Sequence, residues 1–347
     1  MSELVLLGDE AVALGAIHAG LSGAYGYPGT PSSEILEYLI NEAEKTKAFR
    51  ATWSSNEKTA YEEALGTSIA GKRAIVTMKH VGLNVAADPF MNSALLKING
   101  GLVIVVADDP GMHSSQGEQD SRFFADFAKV PCFEPTNQQE AYAMTREAFD
   151  LSEKWKVPVL IRMVTRLAHS RAVITPWEKI RPQNPVKKTE DTRGWRLLPA
   201  IAQKLWIDLL ETNKEFNSYS EATDFNKLTI NPDYKKVGII TTGLGKNYFE
   251  ENLADMGVKP SHLHIGFYPA PADKIKKLAD SVEKILVIEE GYPFIETKLR
   301  GILPQSIAIE GKLDGLTGYF ALATITACIF CSLVLNFPFK KAGWLLG

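Results

Sequence analysis

Short apolar runs separated by helical stretches recur along the first half of the chain. Ala11 to His18 reads as a helix and Ala24 to Tyr27 as a short strand, Ser33 to Glu44 is again helical, and Glu57 to Ala70 is an alanine-rich helix. Arg73 to Met78, Leu102 to Ala107 and Val157 to Val164 are β-branched runs of the kind that a parallel sheet buries on both faces. Strands alternating with helices predict an α/β layer fold, a parallel sheet with helices on both faces and right-handed crossovers. This first domain is expected to span residues 1–180.

Residues 181–234 are polar and irregular, with charge clusters such as KKTEDTR, and read as a connector in which Trp195 to Leu210 forms an amphipathic helix. A second α/β pattern occupies 235–311. Val237 to Thr242, His262 to Phe267 and Ile285 to Glu289 are its strands, and Tyr248 to Met256, Ala272 to Ala279 and Phe294 to Gly301 its helices. That is a small, flavodoxin-like domain. Residues 312–347 form an apolar tail. Leu316 to Phe339 carries no charge and is long enough to span a membrane, for which about 20 residues suffice. Lys340 and Lys341 beyond it sit against the positive-inside tendency. Three readings of the tail stay open: a membrane anchor, a buried terminal helix, and an aberrant or frameshifted end of a longer protein.

Composition narrows the class. A chain of 347 residues can bury two cores, and a formal net charge of -3 with dispersed Lys and Arg offers no basic stripe for a phosphate backbone, so nucleic acid is not an expected partner. The N-terminus MSELVLLGDEAV is charged where a signal peptide would be apolar, and three cysteines are too few for a disulfide framework. A cytoplasmic protein is expected. Cys328 and Cys331 make a C-x-x-C inside the apolar tail with no second pair or histidine nearby, whereas structural zinc takes about four ligands. No metal ligand is assigned to this chain.

The residues able to carry chemistry follow the strands. In Gly26-Tyr27-Pro28-Gly29-Thr30-Pro31-Ser32-Ser33, Thr30 suits an N-cap with Pro31 at the first helical position, turning backbone donors toward an anion or carboxylate, although a plain well-capped turn reads the same way. Glu57 opens a helix, where the macrodipole favours it; it is also the residue type that holds a proton on an aminopyrimidine ring nitrogen. Lys79 and His80 follow a strand, where open α/β sheets place ligands, and could equally belong to a solvated loop. Asp108 to Arg122 is a long polar loop at a third strand end, either functional or simply surface.

The ordered segments GYPGTPSSEI, NEKTAYEEALGTSIAG, TMKHVGLNVAADP and DDPGMHSSQGEQDSR, followed by LVIEEGYPFIETKLRG, resemble the alpha subunit of the indolepyruvate ferredoxin oxidoreductases, relatives of the pyruvate and 2-oxoglutarate enzymes. The resemblance covers residues 1 to about 311. It implies a thiamine-diphosphate pyrimidine-binding domain followed by a transketolase C-terminal-like α/β domain. Glu57 then matches the catalytic glutamate that contacts the aminopyrimidine. Thr30 matches a threonine facing the substrate, with Pro28, Gly29, Gly82 and Asn84 also on the cofactor side. His80, His113, Gln116 and Arg122 fall in motifs near the 2-oxoacid; an arginine would hold its carboxylate through a bidentate pair.

The reaction implied is oxidative decarboxylation of an arylpyruvate, itself formed by transamination of an aromatic amino acid, to an aryl-acetyl-CoA with ferredoxin as electron acceptor. Coenzyme A, a beta subunit, a second alpha subunit and ferredoxin are the partners this implies. The family's Gly-Asp-Gly segment and later Asn for magnesium, and its C-x-x-C-x-x-C runs for [4Fe-4S] clusters, have no counterpart in this sequence. Mg2+ and the clusters are therefore expected from further domains or a partner. The other expectation is a non-catalytic fragment or a membrane-tethered assembly module.

Overall fold

The computed structural model describes residues 3–189 and 192–313; the apolar tail, with Cys328 and Cys331, lies outside the described residues. The chain divides into two compact units, Met1–Phe216 and Asn217–Gly347. The division falls within the segment read as a connector, and inside a single helix.

In the first unit, β1 (Leu4–Leu7) leads into α1 (Gly8–His18), followed by β2 (Gly23–Gly26), α2 (Ser33–Thr46), β3 (Arg50–Trp53), α3 (Glu57–Ile69) and β4 (Ala74–Lys79). Then come α4 (His80–Val85), α5 (Ala87–Ser93), β5 (Leu102–Asp108), α6 (Arg122–Ala128), β6 (Cys132–Phe133), α7 (Gln138–Trp155), β7 (Val159–Val164), α8 (Thr165–His169), β8 (Arg171–Ile174) and α9 (Pro199–Ala222). The main sheet runs β6-β7-β5-β4-β2-β3, with every neighbouring pair parallel. β5 and β7 are buried along their whole length, which is why they read as unbroken apolar runs. β1 and β8 pair antiparallel in a separate small sheet.

Strand order decides where a ligand can sit. From β2 the chain crosses to β3 on one side, then returns past β2 to β4 and β5 on the other. The reversal lies between β2 and β4, and open α/β sheets bind ligands outside the carboxyl ends of the strands at such a point.

In the second unit, β9 (Leu228–Thr229), β10 (Val237–Thr242), α10 (Gly245–Asn252), β11 (Ser261–Ile265), β12 (Phe267–Tyr268), α11 (Ala272–Asp280), β13 (Lys284–Ile288), α12 (Phe294–Ile302) and β14 (Ala308–Glu310) follow in order. Its sheet runs β14-β13-β10-β11-β9, parallel except for β9. Val237, Ile239, Phe249, Met256, Leu286 and Ile288 form a core cluster there. Glu289 at the end of β13 accepts the backbone N–H groups of Ile295 and Glu296, which fixes the start of α12. Thr241 bridges two imidazoles, with its Oγ1 2.8 Å from His262 Nε2 and 3.0 Å from His264 Nδ1. Among the described residues no helix is long and apolar enough to cross a membrane.

Two expectations are corrected. The connector helix is Pro199–Ala222 rather than Trp195 to Leu210, because Leu205, Leu209 and Phe216 are buried along one face and carry it through residues of weak helix propensity. Thr30 is not an N-cap and Pro31 is not the first helical residue. The Thr30–Pro31 peptide is cis, Ser32 is the N-cap, and α2 begins at Ser33. Ser32 donates both its N–H and its Oγ to Gly29 O, closing a turn before the helix starts.

Candidate functional site

Four segments converge at the carboxyl ends of β2, β3, β4 and β5. Asn56 caps α3 by accepting the Thr59 N–H at 2.9 Å, which places Glu57 at the first helical position. The Glu57 side chain then lies against Gly82 of α4. A Cβ on Gly82 would sit 2.6 Å from both Glu57 Cγ and Oε1 and 2.9 Å from Cδ, so this approach requires glycine. Glu57 is half-buried, and its carboxylate has no hydrogen bond or ion pair with any described residue.

The loop after β2 closes on the end of β4. Gly29 donates its N–H to Ser33 Oγ at 2.9 Å, and its missing side chain leaves room for Lys79, whose Cβ would be 3.2 Å away. Lys79 donates to Ser114 O at 3.0 Å and to Ser114 Oγ at 3.3 Å, and Ser114 Oγ donates to Thr30 O at 3.3 Å. The loops after β2, β4 and β5 are thus tied together through one lysine and one serine. Pro28 and Thr30 are exposed at this mouth.

The β5 loop is shaped by Asp109. Its carboxylate accepts the N–H groups of His113 and Ser114 and the hydroxyls of Ser115 and Thr165. Partial burial works against the charge, but these donors outweigh it and bring the carboxyl down to about 2. Further along, His80 Nε2 donates to Gly117 O at 3.2 Å and Asn84 Nδ2 donates to Gln119 Oε1 at 3.0 Å. The carbonyl acceptor fixes the proton on Nε2, and the buried His80 Nδ1 has no partner among the described residues.

The site residues expected from sequence divide accordingly. Glu57 lies against Gly82, while Pro28, Gly29 and Thr30 form the loop after β2, which is tied to the ends of β4 and β5 through Lys79 and Ser114. His80 and Asn84 hold the β5 loop against α4. His113 and Gln116 lie on that loop with exposed side chains. Arg122 does not join them, and its assignment to a substrate carboxylate is withdrawn. Its side chain is 1% exposed, with Nε 2.9 Å from Asp120 Oδ1 and Nη1 3.6 Å from Glu134. Arg162 of β7, equally buried, completes the cluster by donating to Asp108 at 2.6 Å and to Glu134 at 2.5 Å. Burial alone would raise the Asp120 carboxyl, yet Arg122 and Arg162 hold it down to about 2. Asp108 also accepts the Ser121 N–H at 3.0 Å, so the two ends of the β5 loop are pinned by one ionic cluster. The roles of Asp109 and Lys79 in shaping the loops were not foreseen. An aspartate ending a strand ahead of a Ser-Ser pair was the available signal.

These strand-end loops, at the reversal point of a parallel sheet, define a cofactor-binding α/β protein. The chain belongs to the pyruvate flavodoxin/ferredoxin oxidoreductase family, thiamine-diphosphate-binding part, which matches residues 14–208. Within it, the chain is 40% identical over 320 residues to the indolepyruvate oxidoreductase subunit IorA of Archaeoglobus fulgidus, covering 90% of this chain and 50% of that one. It is 40% identical over 304 residues to IorA of Thermococcus kodakarensis, covering 86% and 47%. The chain therefore spans about half the length of these relatives. A 2-oxoglutarate:ferredoxin oxidoreductase from Magnetococcus marinus has the same fold, with a TM-score of 0.76, 17% identity, and coverage of 94% of this chain and 64% of that one. A split-gene transketolase aligns with a TM-score of 0.55 at 14% identity, over 95% of this chain and 96% of that one. The expected fold class stands: a pyrimidine-binding α/β domain with transketolase-like neighbours.

Proposed function

We propose that this chain supplies the pyrimidine-binding half of a thiamine-diphosphate site in an oxidoreductase acting on arylpyruvates, indolepyruvate among them. The observation that carries the reading is Glu57: a half-buried carboxylate with no partner among the described residues, resting on the one residue type that leaves it room. An aminopyrimidine ring fits that donor set, because its protonated ring nitrogen is the partner the carboxylate lacks. The names of the relatives that are 40% identical support the substrate class.

In this reading Glu57 holds a proton on the ring nitrogen and so sets the tautomer on which the cofactor's own base depends. Gly82 keeps the carboxylate in place by having no side chain. Thiamine diphosphate, when bound, supplies the nucleophile and the electron sink for loss of carbon dioxide. Pro28, Gly29 and Thr30 form the cofactor and substrate wall at the β2 end, while His80 and Asn84 set the height of the β5 loop. With Arg122 withdrawn, His113 and Gln116 are the loop side chains available to a 2-oxoacid. Mg2+, the [4Fe-4S] clusters, coenzyme A and ferredoxin belong to the rest of the assembly, with a beta subunit and a second copy of this chain as the protein partners.

The test is an assembled complex containing this chain, assayed for dye reduction dependent on coenzyme A and a 2-oxoacid. Indolepyruvate should be turned over well ahead of pyruvate and 2-oxoglutarate, and Glu57→Gln should lower turnover by orders of magnitude. A preference for pyruvate would remove the substrate assignment. An unchanged rate in the glutamine variant would remove Glu57 from the chemistry.

A further inference from the structure

In the helices that directly follow β1, β2 and β7, three side chains meet. Asp9 is the second residue of α1, Glu34 lies in the first turn of α2, and His169 is the last residue of α8. One ligand atom from each lies within 4.8 Å of the others, and His169 Nε2 is 3.4 Å from Glu34 Oε1. We infer that Asp9, Glu34 and His169 form a site for one divalent transition-metal ion, with zinc(II) the preferred occupant.

Three observations point to a ligand. The first is that Asp9 is 0% exposed while neither of its carboxylate oxygens has a hydrogen-bond partner among the described residues, and the buried Glu34 Oε2 lacks one too. An isolated buried carboxylate is among the costliest groups in a protein interior, which is why buried charges are paired or coordinate metals. The same unit pairs its other buried charges closely, as Arg122 and Arg162 show. Burial, then Glu34 and Glu10, pushes the Asp9 carboxyl well above its ordinary value. Glu10 offers no relief, because it accepts the Leu7 N–H at the start of α1.

Spacing is the second observation. A shared proton would draw Asp9 and Glu34 into a hydrogen bond, and none joins them. Tetrahedral zinc with bonds of about 2.0–2.2 Å places its ligand atoms roughly 3.3–3.5 Å apart. The His169–Glu34 edge already has that length, and Asp9, whose ligand atom lies within 4.8 Å of the other two, closes to it by a side-chain shift of at most about 1.4 Å. The third is donor chemistry: two carboxylates balance a dication, and an imidazole favours zinc over the oxygen-seeking magnesium and calcium.

Glu34 and His169 are about one-third exposed, so an ion can reach the site and solvent can fill a fourth position. A bound ion would clamp α1, α2 and α8 together. Glu34 adjoins Ser33, whose hydroxyl accepts the Gly29 N–H, so the clamp would also steady the loop after β2.

The experiment is calorimetric zinc titration of the chelator-treated full chain, alongside Asp9→Asn, Glu34→Gln and His169→Gln. Cobalt(II) serves as an absorbance probe, and thermal unfolding is followed with and without zinc. His169 is at the surface, so its variant keeps the fold even if Asp9→Asn does not. The wild-type chain should bind one zinc more than His169→Gln, gain a cobalt d–d band that the variant lacks, and melt at a higher temperature only when zinc is present. Equal zinc stoichiometry in the two proteins would overturn the assignment. So would zinc binding with the same affinity to both, since the imidazole would then contribute nothing.

Discussion

Gly82→Ala isolates the position of the Glu57 carboxylate from its chemistry. Gly82 sits in α4 without a positive φ, so alanine needs no backbone strain and should add about 0.5–1 kcal/mol of helix stability. The new Cβ would meet Glu57 Cγ and Oε1 at 2.6 Å, whereas carbon contacts settle at about 3.5–4.0 Å. The carboxylate must therefore retreat by about 1 Å. A misplacement of that size costs on the order of 10²-fold in turnover, or ~2.7 kcal/mol of barrier. The assay is arylpyruvate-dependent dye reduction by the assembled complex, with thermal unfolding of the chain measured in parallel. A double-mutant cycle with Glu57→Ala then decides the mechanism, because alanine at 57 leaves nothing for the new methyl to displace. Gly82→Ala should cost about 10²-fold in the wild-type background and almost nothing in the Glu57→Ala background. Equal losses in both backgrounds would show that Gly82 acts by another route, and an unaltered rate in the single variant would refute the geometry.

Other expectations follow from the same structure. Arg122→Met should lower folding stability by about 3–5 kcal/mol in urea denaturation, since it leaves Asp120 and Glu134 buried without this partner; a raised KM at full stability would restore a substrate role. Asp109→Asn should speed amide hydrogen exchange across residues 110–119 while leaving β5 protected, and unchanged exchange would mean that the loop is held by other contacts. In the second unit, burial first, with His264 and Lys246 nearby, holds His262 down to about 3, and burial with Lys246 does the same for His264. Unfolding releases both to the ordinary range, so their contribution is present above about pH 6.5 and is lost as pH falls toward 3. Between those limits the slope should approach ~1.4 kcal/mol per pH unit for each imidazole. Denaturation of the wild-type chain between pH 7 and 5 should show that excess slope relative to a His262→Gln, His264→Gln double variant; parallel curves would contradict it.

The parallel sheet was readable in the sequence because strands buried on both faces leave short, β-branched apolar runs, too brief for a buried helix, as Leu102 to Ala107 and Val157 to Val164 do. The start of α3 was readable because Asn56 and Glu57 are local signals for a helix N-terminus. What escaped depends on distance in sequence. The pairing of β1 with β8 joins Leu4 to Ile174, and neither short run declares its partner. Arg122 looked like a ligand because it is a charged residue in a polar loop. Its burial is compensated by Asp120 and by Glu134, which follows β6 and is brought to it by the fold. Asp9 gave no signal at all, since an aspartate near a helix start is ordinary and only the fold brings Glu34 and His169 to it.

The ionic cluster under the β5 loop separates two tasks that proteins often entangle. Asp108 and Asp120 fasten the ends of the loop to β7, so the span between them can lengthen, shorten or change its side chains while the sheet beneath stays put. Loop extension is itself cheap, at ~0.6 kcal/mol for each doubling of length. On the proposed function, a scaffold built this way acquires a new substrate by exchanging residues 110–119 as a cassette, leaving the Glu57–Gly82 pair untouched.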